Sequence, residues 1–280
     1  MRKVTMARWA AAVAAVTALL TAASSNVASA AGIVPPRDPA GNVTAVPAYN
    51  TVAGRMYQVG AALPPCWQWR AGKLSPDAAS TACVSAEIEA TARAHRLEHI
   101  AAVALPRDFA HLSSEEQLLV LVDLERVSRG EAPVLGLTRA ADALAQRGAQ
   151  LNQDPVLPSP HAITGATGGW TANWAAAVSP LDANYSWMYL DGWAGVGKTF
   201  NYLCTSAHAS GCWGHRNDIL VNASQLPCYS TSCSLVMGAG SVPRHWSIYN
   251  SYSELIVQVA GTLPPMYYTW KQAVAAGAKV

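Results

Sequence analysis

Three stretches of the chain carry a helical alternation of apolar and polar positions. From Ser75, a cap-type residue followed by Pro76 at the first helical position, an Ala-rich run extends to about His99. Ser113 with Glu116 three residues later reads as a capping box, and Gln117-Leu-Leu-Val-Leu-Val-Asp-Leu-Glu-Arg-Val continues to a stop at Gly130. Thr138 caps a third run that reaches about Leu151. The pattern then lapses, and residues 152–185 read as loop-rich. Beyond them Ser234-Leu-Val-Met-Gly-Ala-Gly and Glu254-Leu-Ile-Val-Gln-Val-Ala are short β-type runs, each closed by Gly. They are expected to pair as antiparallel neighbours across a loop that carries Pro243. Helices first and strands later predict an α+β fold, not alternating βαβ units.

The start of the chain follows a different rule. Arg2, Lys3 and Arg8 precede an apolar run from Trp9 to Leu20, and Ala28-Ser29-Ala30 has the small-x-small form of a signal-peptidase site. Residues 1–30 are therefore expected to be a removed signal peptide. The run is short for a membrane span, which needs about 20 apolar residues, so no stable membrane anchor is expected. Residues 31–74, rich in Pro, Gly, Ala and Val at their start, read as an extended lead-in. Residues 75–112 read as an N-terminal helical extension and 113–280 as the main domain.

Removal of the first 30 residues takes three cations, so 19 Lys and Arg become 16 against 17 acids and the formal charge moves from +2 to about −1. No basic cluster remains to attract nucleic acid. Only 13% of residues are charged, with 20 Gly and 17 Pro, as suits a loop-rich extracellular domain. Cys66, Cys83, Cys204, Cys212, Cys228 and Cys233 all follow the export signal, and an even number in an exported chain reads as disulfides. Proximity along the chain favours Cys66–Cys83, Cys204–Cys212 and Cys228–Cys233, although sequence alone leaves the connectivity open. A thiolate zinc site is the alternative, and the spacings lack its paired C-x-x-C clusters.

Two short motifs suggest chemistry. Gly192-Trp-Ala-Gly-Val-Gly-Lys198-Thr199 matches the phosphate-binding pattern G-x-x-x-x-G-K-T, which needs a buried strand before it and a long helix after it. Tyr185 to Leu190 could supply the strand, but the stretch beyond Thr199 soon reaches Cys204 and a polar loop. A plain Gly-rich loop is the expected reading, with no nucleotide bound. His95-Arg-Leu-Glu98-His99 matches the inverted zincin pattern H-x-x-E-H. On a helix the two imidazoles would share a face, and Glu116 or Glu125 could add a ligand. Arg93, Arg96 and Glu98, however, make this helix end read as a charged, solvated surface.

A third motif is more specific. Gly211-Cys-Trp-Gly-His215-Arg-Asn-Asp-Ile-Leu220 resembles the G-H-R-x-N-I-L signature of the CAP superfamily, the cysteine-rich secretory, antigen 5 and pathogenesis-related proteins that share the SCP domain. Other segments follow in the family's order. Leu118 to Gly130 is similar to its first helix, Pro133 onward to its second, Thr171-Ala-Asn-Trp-Ala to its G-E-N-I-A segment, and the two β-type runs to its late strands. Asn173-Trp-Ala, Trp187-Met-Tyr-Leu-Asp-Gly and Gly211-Cys-Trp-Gly-His-Arg together look most like secreted actinobacterial members. The resemblance covers roughly residues 113–262.

It implies an α-β-α sandwich around a small antiparallel sheet, with a cleft of two His and two acids. His215 matches the His of G-H-R, His161 is the candidate for the earlier His, and Asp191 for an acid on a helix before G-H-R. Ala172 stands where the acid of G-E-N is expected, and Asp218 replaces the Asn of G-H-R-x-N. Two imidazoles with carboxylates can hold a divalent cation or run acid–base chemistry, and loss of one acid weakens both. The expectation is a secreted binding or interaction module with a degenerate cleft and an extracellular ligand that the sequence does not name. The alternative is a peptidase-like hydrolase using His215 with His161 or Asp191, with or without a metal. Neither Ser159 nor Ser186 lies in a G-x-S-x-G elbow. Cofactor, metal and oligomeric state are not legible.

Overall fold

A computed structural model describes Cys66 and residues 80–193, 199–201, 213–228, 230, 232–246 and 249–280. The predicted signal peptide, the lead-in up to residue 65, Ser75 and Pro76 lie outside these residues. The first described helix, α1 (Thr81–Leu97), is capped by Ser80, whose hydroxyl accepts from the Cys83 N–H at 3.1 Å. The second, α2 (Ser114–Ser128), begins at the predicted capping box: Ser113 Oγ accepts from the Glu116 N–H and Glu116 reaches back to the Ser113 N–H. The third, α3 (Arg139–Leu151), starts at the Thr138 cap and ends on Asn152 in the left-handed region, φ 54°.

Residues 152–185 depart from the loop-rich expectation. They contain β2 (Ala166–Ala177), twelve residues long, and α4 (Pro180–Tyr185), capped by Ser179. Gly168, Gly169 and five alanines give β2 little intrinsic strand preference, and it forms through its ladder with a later strand near the C-terminus. Four short strands, β1 (Gly136–Leu137), β3 (Asp191–Trp193), β4 (Thr199–Phe200) and β7 (Tyr268–Thr269), and two long ones, β5 (Cys233–Trp246) and β6 (Tyr249–Ala260), complete the strands among the described residues. Helices α5 (Gly214–Leu220) and α6 (Trp270–Ala275) complete the α-helices, and a π-helical turn covers Ser186–Leu190.

The main sheet has the order β2-β6-β5-β1-β7. β5 and β6 are antiparallel neighbours, as the sequence pattern predicts, with Met237 opposite Ile256. Pro243 lies within β5 and not in a connecting loop, in the interval between Val242 and Trp246 where the register shifts. β1 runs parallel to β5, so the sheet is mixed. The fold is α+β.

Alternate residues of the central strands enter two separate cores. Leu235, Met237, Ala239, Tyr252 and Ile256 pack with Leu118 to Val122 of α2 and with Ala90 and Ala94 of α1. Val236, Leu255, Val257 and Val259 pack with Ala141 and Ala145 of α3. Because the side-chain period of a strand is two, these clusters lie on opposite faces of the sheet. Nine consecutive residues of α2, Leu118 to Arg126, are buried, as expected of a helix enclosed on all sides. The helical extension and the following domain thus share one core. Disulfides join Cys66 to Cys83 and Cys228 to Cys233, with Cα–Cα distances of 5.8 and 6.3 Å. The expected Cys204–Cys212 pair lies outside the described residues. No helix among the described residues is long and apolar enough to cross a membrane.

Candidate functional site

Helix α5 carries the Gly-His-Arg motif, and four side chains from the rest of the fold hold it in place. Arg126 of α2 donates from Nη1 to the carbonyls of Ile219 (2.5 Å) and Val221 (2.8 Å). Thr171 of β2 donates to the carbonyl of Asp218 at 2.9 Å, and Asn173 of β2 to that of His215 at 3.0 Å. At the N-terminal end Trp213 adopts φ 60°, uncommon for a bulky residue, and its N–H donates to Asn201 Oδ1 at 2.7 Å. His215 is enclosed, with only 3% of its surface exposed.

The acid on the His215 side of the sheet is Glu254 of β6. Asn173 and Glu254 are directly opposite in the ladder, and the Asn173 amide also donates to Glu254 Oε1 at 2.8 Å. One amide therefore ties the His215 backbone to a buried carboxyl. Burial pushes the Glu254 carboxyl up to about 8, which the Asn173 hydrogen bond reduces only in part and the nearby Asp218 reinforces. Burial likewise lifts Asp218 to about 7. Near neutrality both acids are substantially protonated. Ala172, the position aligned with the family's missing acid, faces the other way: it belongs to the α3-side core and pairs with Leu255.

The other candidate residues take different positions. His161 is exposed on a 3-10 turn (Pro160–Ala162), in contrast to the enclosed His215. Asp191 is the first residue of β3, with its backbone opposite Phe200, and not on a helix. Residues 185–190 are helical, and Thr199–Phe200 is a strand antiparallel to β3. The flanks of the Gly192–Thr199 motif thus differ from the strand-loop-helix that a phosphate loop requires; residues 194–198 of the motif lie outside the described residues.

The H-x-x-E-H segment has a role that its helical spacing does not suggest. α1 ends at Leu97, and His99 follows in the left-handed region (φ 57°), exposed and away from the helical face that carries His95. Glu98 is not solvated, since its side chain is 5% exposed. It takes both ends of the Arg216 guanidinium, 2.5 and 2.9 Å, and Arg129 Nη2 at 2.7 Å. His95 Nε2 lies 2.9 Å from Glu125 Oε2, which also accepts from Arg129 and Tyr189. Burial alone would raise the Glu98 carboxyl, but Arg216 and Arg129 outweigh it and bring it down to about 2. His95 and Arg129 likewise hold Glu125 well below the usual carboxylate range against burial. These groups form a compensated ionic cluster and not a metalloprotease centre. Among the described residues the metal-type grouping is Cys66, Cys83 and Glu87, whose two sulfurs are joined to each other.

Sequence reasoning missed Glu254 and the Glu98–Arg129–Arg216 cluster. A signal existed for both. Glu254 and Gln258 interrupt an apolar strand on one face, and Glu125 and Arg129 sit four apart in a helix otherwise buried. No family model, no curated protein and no solved structure matches this chain.

Proposed function

We propose that the chain is an exported, disulfide-stapled extracellular domain of CAP type, an α-β-α sandwich that works as a binding or interaction module. The ordered motifs from Leu118 to Ala260 support the family reading, and helices on both faces of β5 support the layering. The observation that carries the choice of module over enzyme is the pairing at α5. His215 is enclosed, and the acid on its side of the sheet is held by Asn173 with its carboxyl up at about 8. A general base must be ionised at working pH and within reach of the proton it takes. Glu254 meets neither condition well, and Ala172 adds no carboxylate.

One observation favours the hydrolase alternative, with His215 acting alongside His161 or Asp191. Asp218 and Glu254 are shifted to about 7 and 8, a range useful to a general acid. The test is to express the full chain, recover it from the medium with Ala31 as its first residue, and assay it against peptide and ester panels beside His215→Ala. The expected result is recovery in the medium and no turnover above the His215→Ala background. Turnover that disappears in His215→Ala would replace the module reading with the hydrolase.

A further inference from the structure

Glu98 is a buried carboxylate held by two guanidiniums that both come from other elements. Arg129 follows the end of α2, Arg216 lies on α5, and the Tyr189 ring from the π-helical turn lies 6.0 and 5.9 Å from their guanidinium carbons. The two guanidiniums present a bidentate fork and a third N–H to one carboxylate, the geometry that recognises a planar anion. The carboxylate itself arrives from α1, one residue beyond its last helical turn, just before the left-handed His99. The receptor belongs to α2 and α5; its occupant belongs to α1.

The charge count shows what removal of that occupant leaves. Glu98 and Glu125 face Arg129 and Arg216, with the His95 imidazole also on Glu125, while burial pushes the Tyr189 phenol far up and keeps it neutral. Without the Glu98 side chain, Arg129 keeps Glu125 on its Nη1. Arg216 keeps the Met188 carbonyl at 3.4 Å and the faces of Tyr189 and Trp213, at 5.9 and 5.4 Å. Among the described residues, none of these contacts of Arg216 is an anion. A buried cation is left beside a void the size of a short carboxylic acid, and a buried charge without a partner is strongly disfavoured. Arg126 provides the contrast, because it spends its donors on the backbone carbonyls of Ala132, Ile219 and Val221.

We infer that Arg129 and Arg216 form a carboxylate-binding site that Glu98 fills from within the chain, and that the site takes up a small external monocarboxylate once Glu98 is truncated. The wild-type α1 then acts as an internal competitor for carboxylate ligands. This inference does not rest on the family reading or on the activity of His215.

The experiment is thermal unfolding of the wild type, Glu98→Ala, Glu98→Gln and the double variant Glu98→Ala/Arg216→Ala, in sodium acetate and in sodium chloride of equal ionic strength at pH 7. The wild type should melt at the same temperature in both salts. Glu98→Ala should melt lower in chloride and recover along a saturating acetate curve, by about 3–5 °C at tenfold excess over its dissociation constant. Glu98→Gln, whose amide fills the space, and the double variant should not respond to acetate. Equal melting of Glu98→Ala in the two salts, its failure to fold in either, or full recovery in the double variant each overturns the inference.

Discussion

Ala172 and Asn173 are neighbours in the chain and point to opposite faces of β2. That single step decides which substitutions reach α5. Ala172→Glu places a carboxylate in the apolar cluster that holds Ala141, Ala145 and Leu255. It should destabilise the domain by about 2 kcal/mol or more in urea unfolding and leave the His215 imidazole resonances unmoved. Stability equal to the wild type, or a shifted His215 resonance, would show that the face is assigned wrongly. The residue scale is also where the sequence is least legible. His215 is found from its motif, but the identity of its acid depends on strand register, and a shift of one residue exchanges the faces. Glu254 could not be preferred over Ala172 until the Asn173–Glu254 pairing was known. Glu98 reads as solvated because Arg93 and Arg96 closely precede it in sequence, whereas the helix ends at Leu97 and turns Glu98 inward.

At the scale of elements, capping chemistry is local and therefore legible. Ser113 with Glu116, and Thr138, mark helix starts that the structure reproduces. β2 is illegible for the opposite reason, since its alanines and glycines become a strand only through hydrogen bonds to β6, about 80 residues later. The glycines that close the β5 run have a meaning that propensity hides. A Cβ on Gly238 would lie 2.0 Å from the Ala141 carbonyl carbon, and one on Gly240 would lie 2.4 Å from the Gln146 Cα. Helix α3 therefore rests directly on the backbone of β5, and Gln146 clasps it through the Ser241 N–H and carbonyl at 3.0 and 3.1 Å. Gly238→Ala should force the helix off the sheet at a cost of about 1–3 kcal/mol. Ala239→Gly, on the α2 side, should leave α3 seated. Amide exchange along α3 separates the two: faster exchange over Ala141–Gln146 in Gly238→Ala alone is the expected result, and equal exchange in both variants contradicts the close approach.

Across the whole molecule the buried ionisable groups fall into two classes with opposite pH dependence. Burial holds Asp182 at about 8, with Glu87 reinforcing it, and holds Glu254 at about 8 and Asp218 at about 7. Each binds a proton in the folded state across a range where the unfolded chain, titrating near 4, has released it. Stability from these groups is therefore full below about pH 4 and falls as pH rises towards their folded values, with a slope of up to about 1.4 kcal/mol per pH unit per group. Glu98 behaves in the reverse sense. Arg216 and Arg129 bring it to about 2 despite burial, so its contribution is full above about 4.5 and is lost as pH falls towards 2. Glu125, also lowered, acts in the same direction. The two classes cross at mildly acid pH, and the domain should be most stable near pH 4–5, with stability declining towards pH 8. Urea unfolding from pH 3 to 9, with the disulfides kept oxidised, measures the curve. Glu254→Gln, which keeps the shape of the protonated acid, should flatten the limb above pH 5 and leave the acid limb unchanged. A maximum at pH 8 or above, or an unchanged upper limb in Glu254→Gln, would mean that these acids are ionised in the folded protein and that the site beside His215 carries a carboxylate after all.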